Sequence, residues 1–177
     1  MVDQPEGTPR RRLLCIAEAV TLAHVARAYV LAREAAARGY EVVLCADPRY
    51  SHLFDDDSVV WKPVWTIPTE RFVKAIDRGT PIYDEGTLSG YVQADLDLIR
   101  THRPDAIVGD FRLSLSISAR VARIPYASIT NAYWSPYAAI GYPVPEIWLT
   151  RWLKLSSAQR VFDLFRPVAF ALHAVAL

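Results

Sequence analysis

The chain has 177 residues, 52% of them hydrophobic, which is ample for a packed domain and excludes a disordered or fibrous protein. With 20 basic and 19 acidic residues the formal net charge is +1, so no field exists to hold a polyanion and nucleic acid is not expected as a partner. The basic run Arg10-Arg11-Arg12 precedes an apolar run too short for a signal peptide or membrane span, so a cytoplasmic location is expected.

Residues 1–11, with Pro5, Gly7 and Pro9, read as a loose terminal tail. Leu13 to Ala17 is a continuous apolar run of the kind buried on both faces in parallel sheets. A helical stripe follows at Val25, Tyr29, Ala32 and Ala36, ended by Gly39, and Glu41 to Ala46 makes a second strand. Cys15 and Cys45 each fall within one of these strands and read as reduced core thiols; two isolated cysteines make neither a zinc site nor a disulfide framework. Val59 to Val64 reads as a third strand whose end is blurred by Pro63. Residues 66–90, rich in glycine and proline, are expected to be surface loops with one short helical patch at Arg71 to Ile76. A helix is expected from Tyr91 to His102, a fourth strand at Ala106 to Gly109, a helix marked by Leu113, Ile117 and Val121, and a fifth strand at Tyr126 to Thr130. Strands alternating with helices describe an α/β domain over residues 12–145, Rossmann-like and doubly wound on a mostly parallel sheet.

Residues 146–177 differ in kind. Val161, Leu164, Phe165, Val168, Leu172 and Val175 form one broad apolar stripe on a helical tail that Pro167 should kink. The pattern runs to Leu177 without a closing polar turn, so the architecture is expected to continue in a further domain or to be covered by another chain. The stripe, with Trp148, Trp152, Arg160 and Arg166 nearby, also permits a peripheral membrane contact.

The chemistry concentrates where two loops should meet. In a doubly wound sheet the first and fourth strands flank the point where strand order reverses, and ligands bind in the crevice there. That edge should carry His24, shortly after the first strand, and Asp110, at the tip of the fourth. A carboxylate bonded to one ring nitrogen fixes the tautomer and stabilises the imidazolium, leaving the other nitrogen to take a proton from a hydroxyl. Asp110 is also suited to cap the helix after it. Phe111, Tyr133, Trp134, Tyr137 and Tyr142 follow on the same edge, with Asn131 and Ser135 among them, as walls of an apolar pocket with polar anchors. The first turn reads Glu18-Ala19-Val20-Thr21-Leu22-Ala23-His24 and holds no glycine, which rejects a dinucleotide fingerprint and weakens a dehydrogenase reading. Asp47 reads as a loop cap beside Pro48. No cofactor or metal site is expected.

These residues carry a resemblance. Thr21-Leu22-Ala23-His24-Val25-Ala26-Arg27, Asp47-Pro48-Arg49-Tyr50 and Val108-Gly109-Asp110-Phe111-Arg112-Leu113-Ser114 are similar to the amino-terminal half of bacterial UDP-glycosyltransferases of the GT-B fold, those acting on macrolides, flavonoids and glycolipids. The resemblance implies one half of a GT-B architecture that binds the acceptor, a lipophilic hydroxylated molecule, with Phe111, Arg112, Asn131, Tyr133, Trp134 and Tyr137 as substrate-binding residues. It further implies that His24 and Asp110 form the catalytic pair of an inverting hexosyl transfer, and that a separate donor-binding domain or subunit holds the nucleotide-diphosphate sugar as co-substrate. The sequence departs from the usual family pattern at Ala23, commonly glycine, and at Arg27, commonly proline. The donor half is not expected within these residues, so this chain alone should not transfer sugar. The competing reading is a non-catalytic α/β partner protein that docks through its apolar C-terminal helices.

Overall fold

The computed structural model describes residues 10–54 and 57–131. Five strands, β1 (Arg12–Ala17), β2 (Glu41–Ala46), β3 (Val60–Pro63), β4 (Ala106–Asp110) and β5 (Tyr126–Ile129), pair in parallel in the order β3-β2-β1-β4-β5. The chain winds outward from β1 to β3, then returns to the other side of β1, so the order reverses between β1 and β4. This is the doubly wound, Rossmann-like α/β sheet that the alternating pattern predicts. These elements lie within a compact unit ending at Thr130.

Alternation along β1 divides the core between two layers. Cys15 and Ala17 pack with Val25, Ala28 and Ala32 of helix α1 (Leu22–Ala37), whereas Leu14 and Ile16 join Ile99 of helix α3 (Glu85–His102) and Leu115 and Ala119 of helix α4 (Leu115–Ala122). Both cysteines are buried thiols, and burial pushes each up to about 12, so they remain protonated core residues. α4 and β5 pack closely at Gly109: a Cβ there would stand 2.6 Å from Leu115 Cδ1 and 3.2 Å from the Tyr126 ring, so a larger residue would make Leu115 shift.

The second strand has the bounds expected of it. β3 is shorter, and Pro63 is its last residue, tolerable on an edge strand where the ladder loses no central bond. The main departure is the stretch expected as loops. Helix α2 (Thr69–Arg78) begins after Pro68 and is closed by Gly79 in the left-handed conformation, φ 62°. Helix α3 begins at Glu85, where the Asp84 carboxylate accepts from Thr87 N at 2.7 Å, and it runs through Gly86 and Gly90. Gly90, in the helix interior, costs about 1 kcal/mol relative to alanine. Tertiary packing offsets this, since Tyr91 joins Val20 and Ile67 in a third cluster against Phe72, Ile82, Tyr83 and Phe111. What sequence pattern reads as loop is therefore a small core laid over the carboxyl edge of the sheet.

α4 forms where expected but turns the other way. Leu113, Ile117 and Val121 are exposed at 41%, 53% and 64%, and the buried face is Leu115, Ser118 and Ala119. The helical tail and the 146–177 boundary lie outside the described residues. Among the described residues no helix is long and apolar enough to cross a membrane.

Candidate functional site

Register brings the two key residues together. Ala17, the last residue of β1, is the neighbour of Asp110, the last residue of β4, and the Glu18 amide donates to the Asp110 carbonyl at 2.9 Å, one bond beyond the paired strands. The chain then turns through Thr21, which holds extended backbone angles at the amino terminus of α1, and His24 falls in the first helical turn. His24 Nδ1 lies 2.8 Å from Asp110 Oδ1. The carboxylate has no solvent exposure and the imidazole side chain keeps 11%.

Arg27, one turn further along α1, reaches the same carboxylate with a planar fork: Nε donates to Oδ2 at 2.8 Å and Nη2 to Oδ1 at 2.8 Å. The same Nη2 stands 2.9 Å from His24 Nδ1. Phe111 closes the other side. Its backbone has φ 57°, a left-handed conformation costing a residue with a side chain about 1–2 kcal/mol, and the turn lays its ring on the imidazole, centroids 4.8 Å apart and planes 10° from parallel. Phe72 of α2 meets Phe111 edge-on at 6.0 Å.

Behind this pair lies a sealed polar cluster. Arg112 donates through Nε to Asp95 Oδ1 at 3.0 Å and through Nη1 to the Trp65 carbonyl at 3.3 Å, and its guanidinium carbon sits 3.7 Å above the Tyr91 ring. Ser114 and Ser118 hydroxyls donate to the other Asp95 oxygen at 2.5 and 3.1 Å. Glu18 accepts from the Tyr91 hydroxyl at 3.2 Å and stands 3.7 Å from Arg112 Nη1. Tyr91 in turn accepts from Ile67 N at 2.7 Å. Burial is the dominant influence on both carboxyls: it raises Glu18 to about 7 and pushes Asp95 upward, each against the opposing pull of Arg112. Glu18 Oε2 and Arg112 Nη2 are buried without a hydrogen-bond partner.

A third device ties the loops. Arg49 is held by Asp47 at 2.9 Å and reaches the carbonyls of Ala19, Thr66 and Ile67 at 3.3–3.4 Å, pinning the turn after β1 to the segment after β3. The Arg49 guanidinium keeps the Asp47 carboxyl below the usual range. Asp47 also accepts from Arg49 N at 3.1 Å, the loop-capping place expected of it.

Of the sequence-expected residues, His24, Asp110 and Phe111 thus meet within one contact shell. Arg112 does not face them: the side chain expected against a substrate is 1% exposed and turned inward, because Asp95 offers it a buried carboxylate. Asn131 is half-buried just beyond β5, and Tyr133, Trp134 and Tyr137 lie outside the described residues. Arg27 is the member of the site that pattern reading left out of it, although an i, i+3 spacing from His24 places both side chains on one helix face. Among the described residues no cluster of histidine, cysteine and carboxylate side chains could hold a metal ion.

Comparisons with known proteins extend this geometry. No family model matches the chain. It is 45% identical over 178 residues to a PGL/p-HBAD biosynthesis rhamnosyltransferase of Mycobacterium bovis BCG, covering 98% of this chain and 39% of that protein. It is 42% identical over 174 residues to a PGL/p-HBAD biosynthesis glycosyltransferase of Mycobacterium tuberculosis, covering 98% and 41%. The same identity and length relate it to a Mycobacterium bovis BCG protein described as an inactive PGL/p-HBAD biosynthesis glycosyltransferase, 48% of which it covers. The chain spans less than half the length of these relatives. Among solved structures, the glycotransferase of kitacinnamycin matches with a TM-score of 0.53 at 18% identity, over 68% of this chain and 30% of that one. A Glycyrrhiza uralensis protein crystallised with glycyrrhetinic acid 3-O-monoglucuronide matches with a TM-score of 0.51 at 20% identity, over 71% and 29%.

Proposed function

From the premise that this chain is a relative of bacterial glycosyltransferases and has the fold of one Rossmann-like half of the GT-B architecture, we propose that it supplies the acceptor-side half of an inverting transferase. The substrate is a lipophilic molecule with a free hydroxyl. A separate donor-binding half holds a nucleotide-diphosphate sugar. His24 takes the hydroxyl proton on Nε2, the acceptor oxygen bonds to the anomeric carbon from the face opposite the leaving group, and the bond from that carbon to the diphosphate oxygen breaks. The electron pair leaves with the nucleoside diphosphate. Asp110 stabilises the imidazolium that forms.

The observation that carries this reading is the 2.8 Å contact between His24 Nδ1 and a fully buried Asp110 carboxylate at the switch point of the sheet. Phe111, stacked on the imidazole, supports an apolar wall beside the base. Asn131, Tyr133, Trp134 and Tyr137 are proposed as acceptor-binding residues, and Arg112 to brace the Phe111 side from behind. The test joins the chain to a donor-binding half, as a fusion or in trans, and follows sugar transfer to a phenolic or long-chain alcohol acceptor. His24→Ala should lower the rate by about 10²–10⁴-fold, the usual contribution of a general base. Unchanged transfer would remove the mechanism. The competing reading is a non-catalytic docking role, for which Ile117 and Val121 on α4 and Leu113 just before it, all exposed, offer a surface.

A further inference from the structure

We infer that Arg27 is a positioning residue of the base pair, one that holds down the basicity of His24 by competing for both of its partners. The inference rests on the reading of His24 as the base and deepens it. Arg27 takes both Asp110 oxygens, at 2.8 Å each, and so neutralises the carboxylate on which an imidazolium would depend. Its Nη2 also stands 2.9 Å from Nδ1.

Two tautomers satisfy these distances differently. With a proton on Nδ1, the imidazole donates to Asp110 Oδ1, which has lone pairs for both that bond and the Arg27 bond, and Nε2 carries the free lone pair a base needs. With Nδ1 unprotonated, Arg27 Nη2 donates its second hydrogen to Nδ1, the proton sits on Nε2, and the ring cannot accept a proton there. Arg27 therefore supports the silent tautomer and, in either, places a positive charge beside the ring that protonation would charge. A carboxylate and imidazole alone go from −1 to 0 on taking up a proton; with Arg27 the same step goes from 0 to +1 in a site whose carboxylate is wholly buried. The Arg27 side chain is 36% exposed, so solvent moderates the effect without removing it.

Among the described residues the neighbouring acids are engaged elsewhere. Of the acidic groups at the ends of the strands packed against α1, Glu18 after β1 is turned to Tyr91 and Arg112, and Asp47 after β2 is held by Arg49. Asp110 on β4 is the carboxylate at the ring.

The test is a pH titration of the imidazole carbon and nitrogen resonances of the 177-residue chain, with His24 distinguished from the other three of its four histidines by its loss in His24→Ala. Arg27→Gln, which removes the charge and keeps an amide donor, should raise the His24 midpoint by roughly one unit, within the range an adjacent charge moves a titrating group. Arg27→Lys should restore most of the difference. If Arg27→Gln does not fold, Arg27→Met, of similar length and uncharged, replaces it. In the fused enzyme the acid limb of the kcat profile should move to higher pH by the same amount. A midpoint that stays or falls overturns the inference whatever transfer does. A midpoint that rises while His24→Ala leaves transfer intact upholds the electrostatic role of Arg27 and removes the proposed function instead.

Discussion

Two charged clusters share the carboxyl edge of β1 and β4, and they are built on opposite stoichiometries. The first joins one carboxylate, Asp110, to one guanidinium, Arg27, and one imidazole, His24; Arg27 reaches solvent. The second gives a single guanidinium, Arg112, two carboxyls, Glu18 and Asp95, and none of the three has any side-chain exposure. In the first cluster the carboxylate and the guanidinium balance in formal charge. The second carries a surplus acid sealed from bulk solvent, and burial raises Glu18 to about 7. Proximity to a ligand edge therefore does not make a polar cluster chemical. Exposure and the ratio of acids to cations separate a pair that can act from one that braces.

The strongest way to break this contrast is to remove the shared cation of the sealed cluster. Arg112→Met should destabilise the chain by about 3–5 kcal/mol in denaturant titration at neutral pH, since it strands two buried carboxyls. A mild loss of stability would mean that the carboxyls are already neutral or watered.

Next in size is the surplus acid itself. Glu18 is raised from 4.5 to about 7 on folding, so its contribution to stability is fully present below about 4.5 and is lost as pH rises through about 7. Glu18→Gln should abolish that slope and make the chain more stable than the parent at pH 8 by on the order of 3 kcal/mol. Parallel stability curves for the two proteins would place the burdened group elsewhere. The smallest effect concerns the open pair: Phe111→Ala removes the ring stacked on His24 while keeping the unfavourable backbone turn, and should cost about 1 kcal/mol by chemical denaturation. Phe111→Gly should recover part of it, because glycine adopts that turn freely.

Much of this arrangement is legible in sequence, and the reasons are local. Leu13 to Ala17 and Glu41 to Ala46 read as buried parallel strands because both faces are apolar, and once strand order is inferred, His24 and Asp110 must meet at the reversal. The misreadings share a cause. α2 and the first turns of α3 carry prolines and glycines that signal loops, yet Pro68 and Gly79 act there as helix boundaries, and Gly86 and Gly90 are tolerated because Tyr91 anchors the helix to Val20 and Ile67. Apolar spacing marks α4 by Leu113, Ile117 and Val121, but its buried face includes Ser118, whose hydroxyl, like that of Ser114 before the helix, serves Asp95. A periodicity of hydrophobic residues cannot find a core whose cement is an ion pair. Asp95 and Arg112 lie far apart along the chain's pattern and become partners only through the packing of α3 on α4. Arg27 was visible as a departure from the family's proline, but its fork onto Asp110 needs the distance between β4 and α1 to be known.

The amide of Glu18 carries a quieter consequence. Because it continues the β1–β4 ladder onto the Asp110 carbonyl at 2.9 Å, the segment leading to His24 and the turn leading to Phe111 are stitched at their roots. The imidazole and its carboxylate cannot drift apart while that stitch holds. Their spacing is inherited from the sheet ladder, and a guest arriving at this edge would meet an imidazole and a carboxylate already paired.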